Sequence, residues 1–154
     1  EGRVRAIGVS NFPAWLLQVM RDTVEIMPMV DQVEFHPLNA QKELRAVSAE
    51  LGVRLQAWAP LARGRLSAEP ALEAIACRSG KTPAQILLRW DLQLGVATIP
   101  KSVNPERILQ NAGIFDFDLT EAEVSTSLAL DQGLSVSHPP AGVLLDQDGK
   151  QAMH

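Results

Sequence analysis

Hydrophobic and polar positions follow one rhythm four times along this chain. A short apolar, β-branched run is followed by a polar break and then by apolar residues at helical spacing. Residues 4–9 form the first run and predict a strand ending at Ser10-Asn11. Asn11 is placed to cap a helix over residues 13–22, with Trp15, Leu16, Val19 and Met20 as its apolar stripe. Residues 29–35 predict a second strand that carries Asp31, Gln32 and Glu34. A second helix is expected from Asn39 to about Leu51, with Leu44 and Val47 on one face and Gly52 closing it. Residues 53–59 predict a third strand.

A loop holding Arg63, Gly64 and Arg65 precedes a helix over residues 71–79, stopped by Gly80. Thr82-Pro83-Ala84-Gln85 is a capping box with proline in the first turn, and it opens a helix to about Leu94. Residues 96–99 predict the fourth strand. Asn104-Pro105 then starts a helix to about Asn111, and Thr120-Glu121-Ala122-Glu123 opens a last one to about Leu130. Repeated strand–helix units imply an α/β fold with a parallel sheet. Residues 1–133 are expected to form this unit. Residues 134–154, with turns at His138-Pro139-Pro140 and Asp148-Gly149, are expected to be a tail of loop or disorder. Asp146 and Asp148 hint at a calcium loop, but no ligand follows at the final position, so no metal site is expected.

Chemistry in parallel α/β folds gathers at the C-terminal ends of the strands. Those ends carry Ser10-Asn11, then Gln32 with Glu34 and His36, then Trp58, then Lys101-Ser102. Lys101, Ser102 and Arg107 surround the start of a helix, whose dipole favours an anion such as a phosphate monoester. Amides and hydroxyls suit an amide group, and the indole suits a ring. Together they describe a dinucleotide laid across several strand ends.

Composition narrows the classes. The chain has 154 residues, 46% of them apolar and 21% charged, with net charge −4. That balance gives no broad basic field for nucleic acid, and no apolar run approaches a membrane span. A single cysteine, Cys77, excludes an internal disulfide and fits the reducing cytoplasm. Its Ala-Ile-Ala-Cys setting predicts a buried small apolar residue. His36, His138 and His154 lack metal-ligand spacing, and His36 before Pro37 is expected to be a hydrogen-bonded structural histidine.

Several segments, in order, resemble the aldo-keto reductases. They are Gly8-Val9-Ser10-Asn11-Phe12, Gln32-Val33-Glu34-Phe35-His36-Pro37, Trp58-Ala59-Pro60-Leu61-Ala62-Arg63-Gly64, Lys81-Thr82-Pro83-Ala84-Gln85 and Ile99-Pro100-Lys101-Ser102. Asn104-Pro105-Glu106-Arg107, Asn111 and Phe115-Asp116-Phe117-Asp118-Leu119 continue the series. The resemblance covers residues 4–133. It implies the second half of a (β/α)8 TIM barrel, about four βα units with a C-terminal helix and tail. It also implies an NADP-dependent oxidoreductase that reduces aldehydes or ketones to alcohols, this chain supplying the cofactor-binding half.

By the same resemblance Ser10, Asn11 and Gln32 hold the nicotinamide carboxamide and Trp58 stacks on its ring. Leu61 and its loop lie along the pyrophosphate. Lys101, Ser102 and Arg107 grip the 2′-phosphate, and Asn111 contacts adenine. Gln110 departs from the family, where many members carry a glutamate. The family's catalytic tyrosine, aspartate, lysine and histidine belong to the other half, and this chain contains no tyrosine. No catalytic residue is therefore expected here. The chain is expected to be a fragment, inactive alone, whose partners are a small carbonyl substrate in the complete protein and either the missing N-terminal half or a second copy. The competing expectation is an inactive NADP-binding or partner-associating half-barrel module.

Overall fold

The computed structural model describes residues 2–136. The expected turns at His138 and Asp148 and the Asp146/Asp148 pair lie outside the described residues. Four strands form one parallel sheet in the order β1-β2-β3-β4: β1 Gly8–Ser10, β2 Val30–Glu34, β3 Arg54–Trp58 and β4 Ala97–Thr98. Six α-helices accompany them among the described residues, one after β1, one after β2, two between β3 and β4 and two after β4. They are α1 Ala14–Thr23, α2 Lys42–Leu51, α3 Pro70–Ser79, α4 Pro83–Gln93, α5 Pro105–Ala112 and α6 Glu121–Leu128.

The register aligns Ser10 with Gln32, Gln32 with Gln56, and Glu34 with Trp58. Because strand side chains alternate, the sheet has two different faces. Val33, Phe35, Leu55 and Ala57 are buried on the helix side, where Phe35 stacks on Trp90 of α4 with ring centroids 5.1 Å apart. Gln32, Glu34, Gln56 and Trp58 stand on the other face. β1 and β2 approach closely at Gly8, where a Cβ would meet the Val30 carbonyl oxygen at 3.1 Å.

Local signals set the helix starts. Thr82 and Thr120 form complete capping boxes with Gln85 and Glu123, and Asn104 Oδ1 accepts the Arg107 N–H. Gly52 ends α2 in the left-handed region at φ 71°.

Long-range packing corrects the other expectations. The first strand spans three residues instead of residues 4–9, because only Gly8–Ser10 pair with β2; Val4 and Ile7 are exposed. β4 is likewise two residues long, with Val96 buried before it and Ile99 exposed after it. α1 turns Ala14 and Leu17 inward, so Trp15, Leu16 and Met20 flank that contact and Val19 is exposed. α2 starts at Lys42, not Asn39, because Asn39 bridges to His36 and Gln41 is left-handed at φ 47°. Cys77 is exposed, since Leu72, Ile75 and Ala76 take the inward positions of α3. Residues 134–136 lack regular structure, as a loop would, and Val136 is buried; the rest of the expected tail lies outside the described residues.

Candidate functional site

A cavity of about 950 Å³ opens beside the C-terminal ends of β3 and β4. Trp58 and Leu61 line it from the connection after β3. Lys101, Ser102, Arg107 and Asn111 line it from the region of α5. Six of the nine sequence-predicted site residues are thus brought together.

The wall is charged in one sense. Arg63, Lys101 and Arg107 line the cavity, and among the described residues no aspartate or glutamate does, although the whole chain carries net charge −4. The cations whose ion pairs are defined lie elsewhere, as Arg21–Asp22, Arg78–Glu123, Lys81–Asp116 and Arg89–Asp118. A cavity with cations on its wall and no carboxylate attracts anionic groups. Ser102 Oγ accepts the Asn104 N–H at 3.1 Å, and Asn104 Oδ1 accepts the Arg107 N–H at 3.1 Å. These bonds fix the first turn of α5 before any ligand arrives. The Arg107 amide is already satisfied, so anion contact there falls to the exposed Lys101 and Arg107 side chains.

The remaining three predicted residues lie outside the cavity lining, on β1 and β2. Ser10 Oγ donates to the Gln32 carbonyl at 2.9 Å. Gln32 Nε2 donates to Gln56 Oε1 at 2.6 Å. Asn11 does not cap α1. It sits in the left-handed region at φ 59°, and Pro13 takes the N-cap position without a side-chain bond. Asn11 Oδ1 instead accepts the Trp58 indole N–H at 2.9 Å. That bond fixes the plane of the indole at the cavity edge and ties β1 to β3 across β2.

The connection after β3 is strained. Ala59, Ala62 and Arg63 have φ of 51°, 47° and 51°, a region costly for residues with a Cβ. Strain of this kind gathers where a backbone must hold an unusual course against a ligand. In the sequence Arg63 stands in a Gly/Arg loop and in the Trp58–Gly64 segment, with no site role of its own expected. Its position in a Gly/Arg loop after a strand was the available signal.

Two further sites were not foreseen in this form. Asp31 is fully buried; its Oδ1 accepts the Phe12 N–H at 3.4 Å, and its Oδ2 has no partner. Burial pushes its carboxyl up to about 6, against the opposing pull of the Phe12 N–H. Glu34 is buried too, and burial alone would raise it. Hydrogen bonds from Ser135, His36 and the Val136 N–H outweigh burial and hold it below the ordinary carboxylate range. Burial lowers His36, with Glu34 partly compensating. At neutral pH the pair is therefore an ionised Glu34 and a neutral His36 that donates Nε2–H at 3.0 Å. Among the described residues, no three His, Cys, Asp or Glu side chains group as metal ligands, and no helix is long and apolar enough to cross a membrane.

The profile of the Aldo/keto reductase family matches residues 1–131. An aldo-keto reductase of Mycolicibacterium smegmatis is 47% identical over 140 residues, 91% of this chain and 51% of that protein. The glyoxal reductase of Bacillus subtilis is 46% identical over 144 residues, 94% of this chain and 52% of its own length. Among solved structures, the aldo-keto reductase of Bombyx mori in complex with NADP aligns with a TM-score of 0.82 at 36% identity, over 88% of this chain and 47% of that one. The solved relatives are (β/α)8 barrels, and the four βα units here correspond to about half of one. The chain likewise spans about half the length of the curated relatives it matches. The chain belongs to the aldo/keto reductase family.

Proposed function

We propose that this member of the family supplies the cofactor-binding half of an NADP-dependent oxidoreductase that reduces aldehydes or ketones to alcohols in the cytoplasm. The observation that carries the reading is the cavity beside Trp58, lined by Arg63, Lys101 and Arg107 and, among the described residues, by no carboxylate.

NADPH suits these residues end to end. Lys101, Ser102 and Arg107 hold the 2′-phosphate at the start of α5, and the arginine's planar fork matches phosphate oxygens. Asn111, on the last turn of α5, faces the adenine. Leu61 and its strained loop follow the pyrophosphate. Trp58, its plane fixed by Asn11, stacks on the nicotinamide, and Ser10, Asn11 and Gln32 orient the carboxamide. When bound, the cofactor supplies a hydride to the carbonyl carbon and leaves oxidised. The protein's part is to present one face of the ring and exclude water.

The alkoxide oxygen then needs a proton. General acid catalysis contributes about 10²- to 10⁴-fold, and the 154 residues include no tyrosine to provide it in the family's manner. His36 is committed to Glu34. The donor therefore comes from a complementing half that carries one, since a second copy has the same sequence, and the chain alone binds NADP without reducing carbonyls.

The test is an equilibrium titration of the chain with NADP and NAD. Charge-assisted contacts contribute roughly 1.5–3 kcal/mol each, so NADP should bind at least about tenfold more tightly. Equal affinities, or no binding of either, would contradict the reading.

A further inference from the structure

The chain that leaves α6 returns across the β2–α2 connection. Asp131 Oδ1 accepts the N–H groups of Ala40 at 3.2 Å and Gly133 at 3.1 Å. Gln132 and Leu134 both donate to the Leu38 carbonyl, at 3.2 and 2.9 Å. The two contacts that follow go to a buried charge. Ser135 Oγ donates to Glu34 Oε2 at 2.5 Å, and the Val136 N–H donates to Glu34 Oε1 at 2.6 Å. His36 Nε2 shares that second oxygen. Glu34 is only 5% exposed.

Backbone bonds would be enough to tether a loop. A buried carboxylate is an expensive way to do so, because its desolvation has to be offset by complete hydrogen bonding. Such an anchor fixes position in return, since both of its oxygens are spoken for. Its place in the sheet says what is being positioned. Glu34 is the register partner of Trp58, and the two side chains stand on the same face. Residues 134–136 therefore dock on the sheet face that presents the indole.

We propose that Glu34 is a positioning residue for the nicotinamide end of the cofactor site: it holds residues 131–136 across the strand end beside Trp58 and so screens that end from water. This rests on the NADP reading above. Glu34 acts through the segment it holds and does not touch the ligand. The adenosine end, more than one connection away at α5, is independent of it.

The experiment titrates the full chain with NADP and with adenosine 2′-phosphate, which carries the phosphate-binding end and no nicotinamide. Glu34→Gln keeps the shape and removes the charge. It should weaken NADP by about five- to tenfold and leave adenosine 2′-phosphate within about twofold. Ser135→Ala, at an exposed residue, should show a smaller loss confined to NADP. The double variant should be no weaker than Glu34→Gln alone, because both changes release the same segment. Should Glu34→Gln fail to fold, the Ser135→Ala result decides. Equal losses for both ligands would make Glu34 a general stabiliser and overturn the proposal. So would additive losses in the double variant, or no loss at all. Failure of the unaltered chain to bind either ligand would instead strike the NADP reading, and this inference with it.

Discussion

Two buried aspartates make the stability of this chain depend on pH. Asp31 is raised to about 6 by burial, so the folded state holds its proton more tightly than the unfolded state does. Below pH 4 the group is protonated in both states and folding is undisturbed. Between pH 4 and 6 the unfolded chain releases its proton and the folded chain retains it, so stability falls as pH rises. Above that window the loss is complete, at about 3 kcal/mol for this group. Asp91 on α4 works in the same direction. Burial raises it well above the ordinary value, and the neighbouring Thr98 opposes this. Neither carboxyl oxygen reaches a partner at hydrogen-bond distance. Asp31→Asn leaves an Oδ1 to accept the Phe12 N–H. It should flatten the fall in melting temperature between pH 4 and 6. Asp91→Asn should raise the melting temperature at pH 7.5 by about 3–6 °C. Thermal melts across pH check both, and an unchanged profile for either variant would mean that its carboxyl is not held neutral.

Among the elements, α4 and α5 flank the site, and one side chain joins them. Gln85 Oε1 accepts the Thr82 N–H at 3.0 Å in the capping box, while Nε2 donates to the Gln110 and Gly113 carbonyls at 3.0 and 2.9 Å. Gln85→Ala should cost about 2–3 kcal/mol in urea unfolding. It should also weaken NADP, because α5 carries Arg107 and Asn111. Thr120→Ala removes only the cap of α6. It should cost about 1 kcal/mol and leave NADP affinity alone. The same contrast explains what could be read in advance. The caps at Thr82, Asn104 and Thr120 are local, so the sequence within four residues announces them. The four strand–helix units are legible for the same reason, and so is the convergence of Lys101, Ser102 and Arg107 on one helix start. Asn11 was not legible, because its cap role lost to an indole 47 residues away. Nor was the tether from Glu34 to Ser135, across 101 residues. The extent of β1 depended on where β2 supplies a partner, which apolar runs alone do not reveal.

At the scale of the whole molecule, the described residues form an open sheet whose edge strands, β1 and β4, have no second partner among them. Beside β4 and α5, Ile99, Val103, Ile108 and Leu109 are exposed, and no residue of α5 is buried. Around β1, Val4, Ile7, Ile26 and Met29 are exposed as well. Apolar rims beside free strand edges invite another chain. The isolated chain should therefore sediment as a dimer or larger at micromolar concentration, and a compact, cooperatively unfolding monomer would contradict this. The central claim, that the cavity reads the 2′-phosphate of NADP, is tested most directly by Arg107→Ala titrated with both cofactors. In the proposed complex Arg107 meets only that phosphate, and NAD lacks it. NADP binding should fall roughly ten- to a hundredfold, less at high salt, while NAD affinity barely moves. Equal losses for NADP and NAD would mean that Arg107 merely holds α5 in place.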